Sequence, residues 1–165
     1  MSLNTLHDVY HHQLQDLYSA CKQSMKITTE LGRVASDKDL SEALIAGTTG
    51  IINGMDHIAS LCAKHDLDPE GHHCKGMEGL AKEARIHAIE ESFGNAATQD
   101  AAIISQYQRL VHYALAGYGT LNAFANRLGL DDDGAVLNQM LDDTYDGDRR
   151  MTDLATNHGI NAAAA

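Results

Sequence analysis

Leu6, Tyr10, Leu17, Cys21, Ser24, Thr28 and Leu31 recur at steps of three, four or seven, the spacing that lines side chains up on one stripe of an α-helix. Ahead of them, Thr5-Leu6-His7-Asp8 has the form of a capping box, a hydroxyl followed three residues on by a carboxylate. The pattern predicts a first helix running to about Leu31, where Gly32 can take the left-handed cap. Ser36-Asp37-Lys38-Asp39 repeats the start signal, and Leu40, Leu44, Gly47, Ile51, Met55, Ile58 and Cys62 form a second inward stripe. The turn Leu67-Asp68-Pro69-Glu70-Gly71 then interrupts the periodicity with the chain's one proline. A shorter third helix is predicted from about Lys75 to Phe93, ended by Gly94-Asn95. Thr98 is the expected N-cap of a fourth, which buries Ile103, Tyr107, Leu110, Val111, Ala114, Tyr118, Leu121 and Ala125 and stops at Gly129. The acidic turn Asp131-Asp132-Asp133-Gly134 leads into a fifth, with Leu137, Met140, Leu141, Thr144, Gly147, Asp148, Met151, Leu154 and Ala155 inward and Gly159 ending it.

Four of these helices have roughly 25 residues, about 38 Å each at 1.5 Å per residue. Long amphipathic helices with a broad apolar stripe pack most readily as a four-helix bundle. The fold class expected is therefore all-α, an antiparallel four-helix bundle with a shorter additional helix. With 165 residues there is chain for one core only, so residues 1–160 are expected to form a single domain and 161–165 a flexible tail.

Composition narrows the function. Twelve Lys and Arg against 23 Asp and Glu leave a net charge of −11, which repels the phosphates of nucleic acid. No apolar run reaches the ~18 residues of a membrane span, and the N-terminus carries no basic and apolar stretch of the signal-peptide kind. A cytoplasmic protein is expected. Three irregularly spaced cysteines, Cys21, Cys62 and Cys74, fit free thiols rather than a disulfide framework.

Ten histidines raise the question of metal. His7 and His11 are an i, i+4 pair, but they lie about 90–130° from the apolar stripe at 100° per residue and read as solvated surface groups. His72-His73-Cys74 gathers three ligand types in a turn, with no partner within sequence reach to complete a shell. Asp131-Asp132-Asp133-Gly134 lacks the alternate spacing and closing glutamate of a calcium loop and reads as an acidic first turn favouring the helix dipole. No Gly-x-Ser-x-Gly, phosphate loop, dinucleotide fingerprint or Cys-x-x-Cys is present. A dinuclear metal bundle projects about four Glu and two His inward, whereas the stripes above contain one carboxylate, Asp148, read as bonded to a tyrosine hydroxyl or an arginine. Gly47, Gly50 and Gly54 share one side of the second helix, although each interior glycine costs roughly 1 kcal/mol relative to alanine. Either a neighbouring helix backbone comes close there, the reading preferred on sequence, or a cavity opens beside Val111, Ala114 and Thr144.

Four segments carry a resemblance. They are Tyr18-Ser19-Ala20-x-Lys22-Gln23, Cys74-x-x-Met77-Glu78-Gly79-Leu80, Asp100-Ala101-Ala102-Ile103-Ile104 and His112-Tyr113-x-x-Ala116-x-Tyr118-Gly119-Thr120-Leu121. In order and spacing they resemble the YciE/YciF-type family of ferritin-like proteins, a stress-associated bacterial group of unassigned function, over about Leu6 to Leu154. The resemblance implies a ferritin-like bundle, commonly a homodimer, with a carboxylate-rich interior suited to two metal ions in typical members. It also shows where this chain departs. Typical members carry Glu at the position of Cys21, a His-x-x-Glu-x-x-x-Gln-like pattern at Gly47, Gly50 and Gly54, Glu-His-Tyr-Glu at Val111-His112-Tyr113-Ala114, and Glu at Thr144.

The expectation is thus a bundle that has lost the di-iron site and acts as a non-catalytic binding or structural protein, with no catalytic residues and no metal ligands. The alternatives are a carrier of a small apolar ligand, or a metal-dependent oxidoreductase using a non-standard histidine site. The candidate cavity-lining residues are Cys21, Gly47, Gly50, Gly54, Tyr107, Val111, Ala114, Tyr118, Thr144 and Asp148. Dimerisation is expected from the resemblance and from Ile27, Ile45 and Leu115, which fall outside the central stripe.

Overall fold

The computed structural model describes residues 3–165; Met1 and Ser2, at the start of the expected domain, lie outside the described residues. Among the described residues six α-helices follow one another: α1 (Leu6–Val34), α2 (Lys38–Lys64), α3 (Lys75–Arg85), α4 (Ala96–Leu128), α5 (Asp131–Thr156) and α6 (Ile160–Ala164), with a π-helical turn, Ile86–Glu90, continuing α3. The long helices form two antiparallel hairpins, α1 with α2 and α4 with α5, and α1 also packs on α4 and α2 on α5. The connection through α3 runs along the face made by α1 and α4. Leu14, Leu31, Leu44, Ile58, Ile103, Leu121 and Leu137 are fully buried between the four long helices. No described helix is long and apolar enough to cross a membrane.

The start of α1 is the expected capping box: Thr5 Oγ1 accepts from the Asp8 amide, and the Asp8 carboxylate accepts from the Thr5 amide at 2.9 Å. Its end differs. Gly32 is buried inside α1, where a Cβ would stand 3.3 Å from that of Leu44, so this glycine serves the crossing with α2 and the helix stops at Ala35 in extended backbone. Asp37 caps α2, accepting from the Leu40 amide at 2.9 Å. The buried Asp100 of α4 accepts from the Ser36 and Asp37 amides at 2.8 and 2.9 Å. One carboxylate thus ties the α1–α2 turn to α4, which gives the Asp100-Ala101-Ala102 segment a structural reason.

Several expected boundaries move. The third helix ends at Glu90 rather than Phe93, through a π-helical turn that leaves Glu91 extended. Asn95, not Thr98, caps α4, because its side chain accepts from the Thr98 amide. Gly129 takes the left-handed cap as expected, with φ 71°. The helix after it ends at Thr156, and Gly159, with φ 83°, starts α6 instead of ending α5. Residues 161–164, within the tail expected at 161–165, join Ile160 in that short helix against α4, and Ile160 is buried.

At the end of the bundle where α1 and α5 begin, the acidic turn is more than a dipole partner. Asp133 is fully buried: the Tyr10 hydroxyl donates to its Oδ2 at 2.8 Å, Lys64 Nζ donates to Oδ1 at 2.7 Å, and His65 Nε2 lies 2.6 Å from Oδ2. Burial alone would push the Asp133 carboxyl up, but the bonds from His65, Lys64 and Tyr10 outweigh it and hold the carboxyl below its usual range. His11 is no solvated surface group either. Its Nε2 is buried without a hydrogen-bond partner among the described residues, and its ring lies 5.1 Å from that of His65. Burial, and then the proximity of His65 and His7, push its pKa down, Asp8 opposing. Three long helices are pinned together here by contacts that sequence spacing does not reveal.

Candidate functional site

The glycines of α2 decide the centre of the bundle. A Cβ at Gly47 would stand 2.6 Å from the Tyr107 hydroxyl, and one at Gly54 would stand 2.6 Å from the Tyr118 hydroxyl. Both phenols reach across from α4 into space that only glycine leaves. At Gly50 and Gly147 an added Cβ would meet nothing within 4 Å. The reading preferred on sequence, close approach of a helix backbone, is therefore replaced by two tyrosine tips and an opening. Of the neighbouring long-helix pairs, α2 and α5 touch least, and along their seam lies a cleft of about 270 Å³.

Cys21, Gly47, Gly50, Gly54, Tyr107, Val111, Ala114, Tyr118 and Thr144 all line this cleft. Asp148 does not: it sits on the outer side of α5, where Gln108 Nε2 donates to its Oδ1 at 3.2 Å and His112 Nε2 lies 3.3 Å away. The inward stripe assigned to α5 was one position too wide there, and the partners are neither the tyrosine nor the arginine expected. Met77, Leu110, Met140 and Met151 add to the apolar lining, and Asn53, Asp143 and Arg150 bring exposed polar groups to the mouth. The methionines were legible as core, but not as cleft wall, since that depends on which helices flank the glycines.

The polar groups inside are neutral. Burial pushes the Cys21 thiol up to about 11, against the opposing effect of its contact with the Tyr118 hydroxyl at 3.5 Å. Burial likewise raises Tyr118 well above its usual value and Tyr107 to about 12, the latter helped by the charge of Asp148. Thr144 spends its hydroxyl on the Met140 carbonyl within α5, at 2.6 Å. The positions at which the resemblance places metal-binding carboxylates thus converge on one cleft and hold a protonated thiol, glycines, Val111, Ala114 and a hydroxyl. Two divalent cations bring four positive charges, and a thiol that stays protonated at neutral pH is a poor ligand. This donor set does not fit a dinuclear centre.

The histidines do not replace it. His72 lies 3.2 Å from Asp16 and its ring 4.4 Å from that of His12, while His73 pairs with Glu78 at 2.9 Å. Folding therefore supplies His72 with the acidic and histidine neighbours that sequence proximity lacked. Cys74 is buried and caps α3, its Sγ 3.0 Å from the Tyr113 hydroxyl. Among the described residues no group of three or more His, Cys, Asp or Glu is placed to hold a metal ion.

The molecule is thus an antiparallel bundle of four long helices, with a crossing helix in the middle connection and a central cleft. The chain belongs to the family described as a domain of unknown function (DUF892), whose model matches residues 5–165. It is 35% identical over 161 residues to Protein YciF of Escherichia coli (strain K12), covering 96% of this chain and 95% of that protein. The crystal structure of the E. coli stress protein YciF matches with a TM-score of 0.87 at 33% identity, over 94% of this chain and 97% of that chain. YcfI from Rhodopseudomonas palustris matches with a TM-score of 0.85 at 30% identity, over 92% and 95% of the two chains.

Proposed function

We propose that this protein is a ferritin-like, stress-associated bundle protein in which the dinuclear metal centre has been given up and that acts as a non-catalytic binding or structural protein. The observation that carries this reading is the convergence of Cys21, Gly47, Gly50, Gly54, Val111, Ala114 and Thr144 on one cleft whose interior groups are all uncharged. The stress association is supported by the likeness to YciF, a stress protein. A cytoplasmic location and a homodimer belong to the same proposal. For the dimer, α2 offers Ile45 and Ile52, 61% and 42% exposed, whereas Ile27 and Leu115, expected to be spare, are buried within the chain itself.

The test is iron(II) oxidation. Two ferrous ions added per chain under air are expected to oxidise no faster with the protein than in buffer, because no carboxylate lines the cleft interior and Asp143 at the mouth is matched by Arg150. Saturable acceleration, abolished by Cys21→Ala or Thr144→Val, would overturn the reading.

A further inference from the structure

We infer that the cleft between α2 and α5 is a binding site for a small, uncharged aromatic molecule carrying one hydroxyl or carbonyl oxygen, which hydrogen-bonds to Tyr107. Small residues along a seam would not by themselves make a site. The second observation is Tyr107. It is 4% exposed and lines the cleft, its hydroxyl lies over Gly47, and that hydroxyl bonds no described protein group. Its oxygen is not sealed off as Thr28 Oγ1 is; it opens onto the cleft and keeps its hydrogen-bonding capacity for a guest. Three other phenols, two of them buried and Tyr113 partly so, differ. Tyr10 donates to Asp133, Tyr113 lies against Cys74 and Asp16, and Tyr118 lies against Cys21. Tyr107 alone among these four presents a free phenol to open space.

Size and charge define the guest. An apolar cavity of about 150 Å³ takes a benzene, so about 270 Å³ admits a one- or two-ring molecule and is too small for a lipid chain or a nucleotide. Ala43, Ile51, Met77, Leu110, Val111 and Met151 offer apolar contact. The mouth carries one charge of each sign, Asp143 and Arg150, which gives a charged ligand no net attraction. A neutral ring entering between Gly50 and Gly147 meets no side chain at either position, and its oxygen reaches Tyr107. The inference goes beyond the proposed function and stands on the cleft and Tyr107, so its outcome is independent of the metal measurements.

The probe is 1-naphthol, whose fluorescence is read without interference because the chain has no tryptophan. Saturable one-to-one binding to the purified full chain is expected, unchanged by EDTA, with naphthalene about fivefold weaker for want of one neutral hydrogen bond. Tyr107→Phe is expected to make the two ligands equal while leaving naphthalene binding as it was. Gly50→Leu and Gly147→Leu, each filling the opening from a different helix, are expected to weaken both ligands at least tenfold with helical circular dichroism retained; should one fail to fold, the other gives the reading. Non-saturable binding, undiminished binding in the folded leucine variants, or 1-naphthoate binding as tightly as 1-naphthol would each overturn the inference.

Discussion

Asp133→Asn is expected to lower the stability of the fold by about 2–3 kcal/mol, at or below the bottom of the usual cost of breaking a buried ion pair because the half-exposed Lys64 can turn to solvent. Asparagine keeps one oxygen for the Tyr10 hydroxyl, which donates at 2.8 Å, but it removes the charge that faces Lys64 at 2.7 Å and His65 at 2.6 Å. In a chain of this size the melting temperature should fall by about 5–10 °C. The dependence on pH is the sharper signature. The folded carboxyl is held below its usual value by those three partners, so the unfolded chain takes up its proton first as pH falls. The stabilisation is whole above the unfolded pKa of about 4 and disappears as pH drops through the lower, folded value. Chemical denaturation of wild type and Asp133→Asn between pH 7 and pH 3 should show two curves that converge at the acid end. Parallel curves would mean that Asp133 acts by packing alone.

Cys21→Glu restores the residue type that the resemblance places there and is expected to be destabilising by about 3 kcal/mol at pH 7, because a carboxylate beside protonated phenols has no cation to pair with. Cys21 is 5% exposed, with the Tyr118 hydroxyl 3.5 Å away. The sign is opposite to that at Asp133. A glutamate confined here has its pKa raised, so the folded protein holds a proton that the unfolded chain releases above about 4.3. The penalty should therefore shrink to about 1 kcal/mol at pH 5 and grow as pH rises. Urea denaturation at both values measures it, and added manganese(II) should recover none of the loss. Full recovery with manganese would mean that the cleft still coordinates cations.

The long helices were legible because their apolar stripes persist over many turns and local caps such as Thr5, Asp37 and Gly129 announce the ends. Gly32 was misread because a glycine near a helix end has two uses, and only the position of Leu44 shows that close approach rather than a left-handed cap is the one taken. Asn95 and Thr98 are both good capping residues three apart, and the choice between them is made by backbone that the sequence does not print. Nine of the ten residues expected around the cavity line it, because helical spacing on α1, α2, α4 and α5 carries their common orientation. Asp148 misled because an acid at the edge of a stripe can turn either way, and Gln108 with His112 turns it outward. Asp133 was hidden for another reason: Tyr10 and Lys64, its partners, are 123 and 69 residues away. No periodicity marks a carboxylate whose bonds come from two other helices.

An uncharged interior stands at the place where a metal centre would sit. Elemental analysis of untagged protein, purified without chelator from cells grown with added iron, manganese and zinc, tests it most directly. Less than about a tenth of an ion of each metal per chain is expected, since the protonated donors of the cleft bind divalent ions weakly. One or two equivalents of iron, manganese or zinc per chain, lost on replacing Cys21 and Thr144, would contradict it.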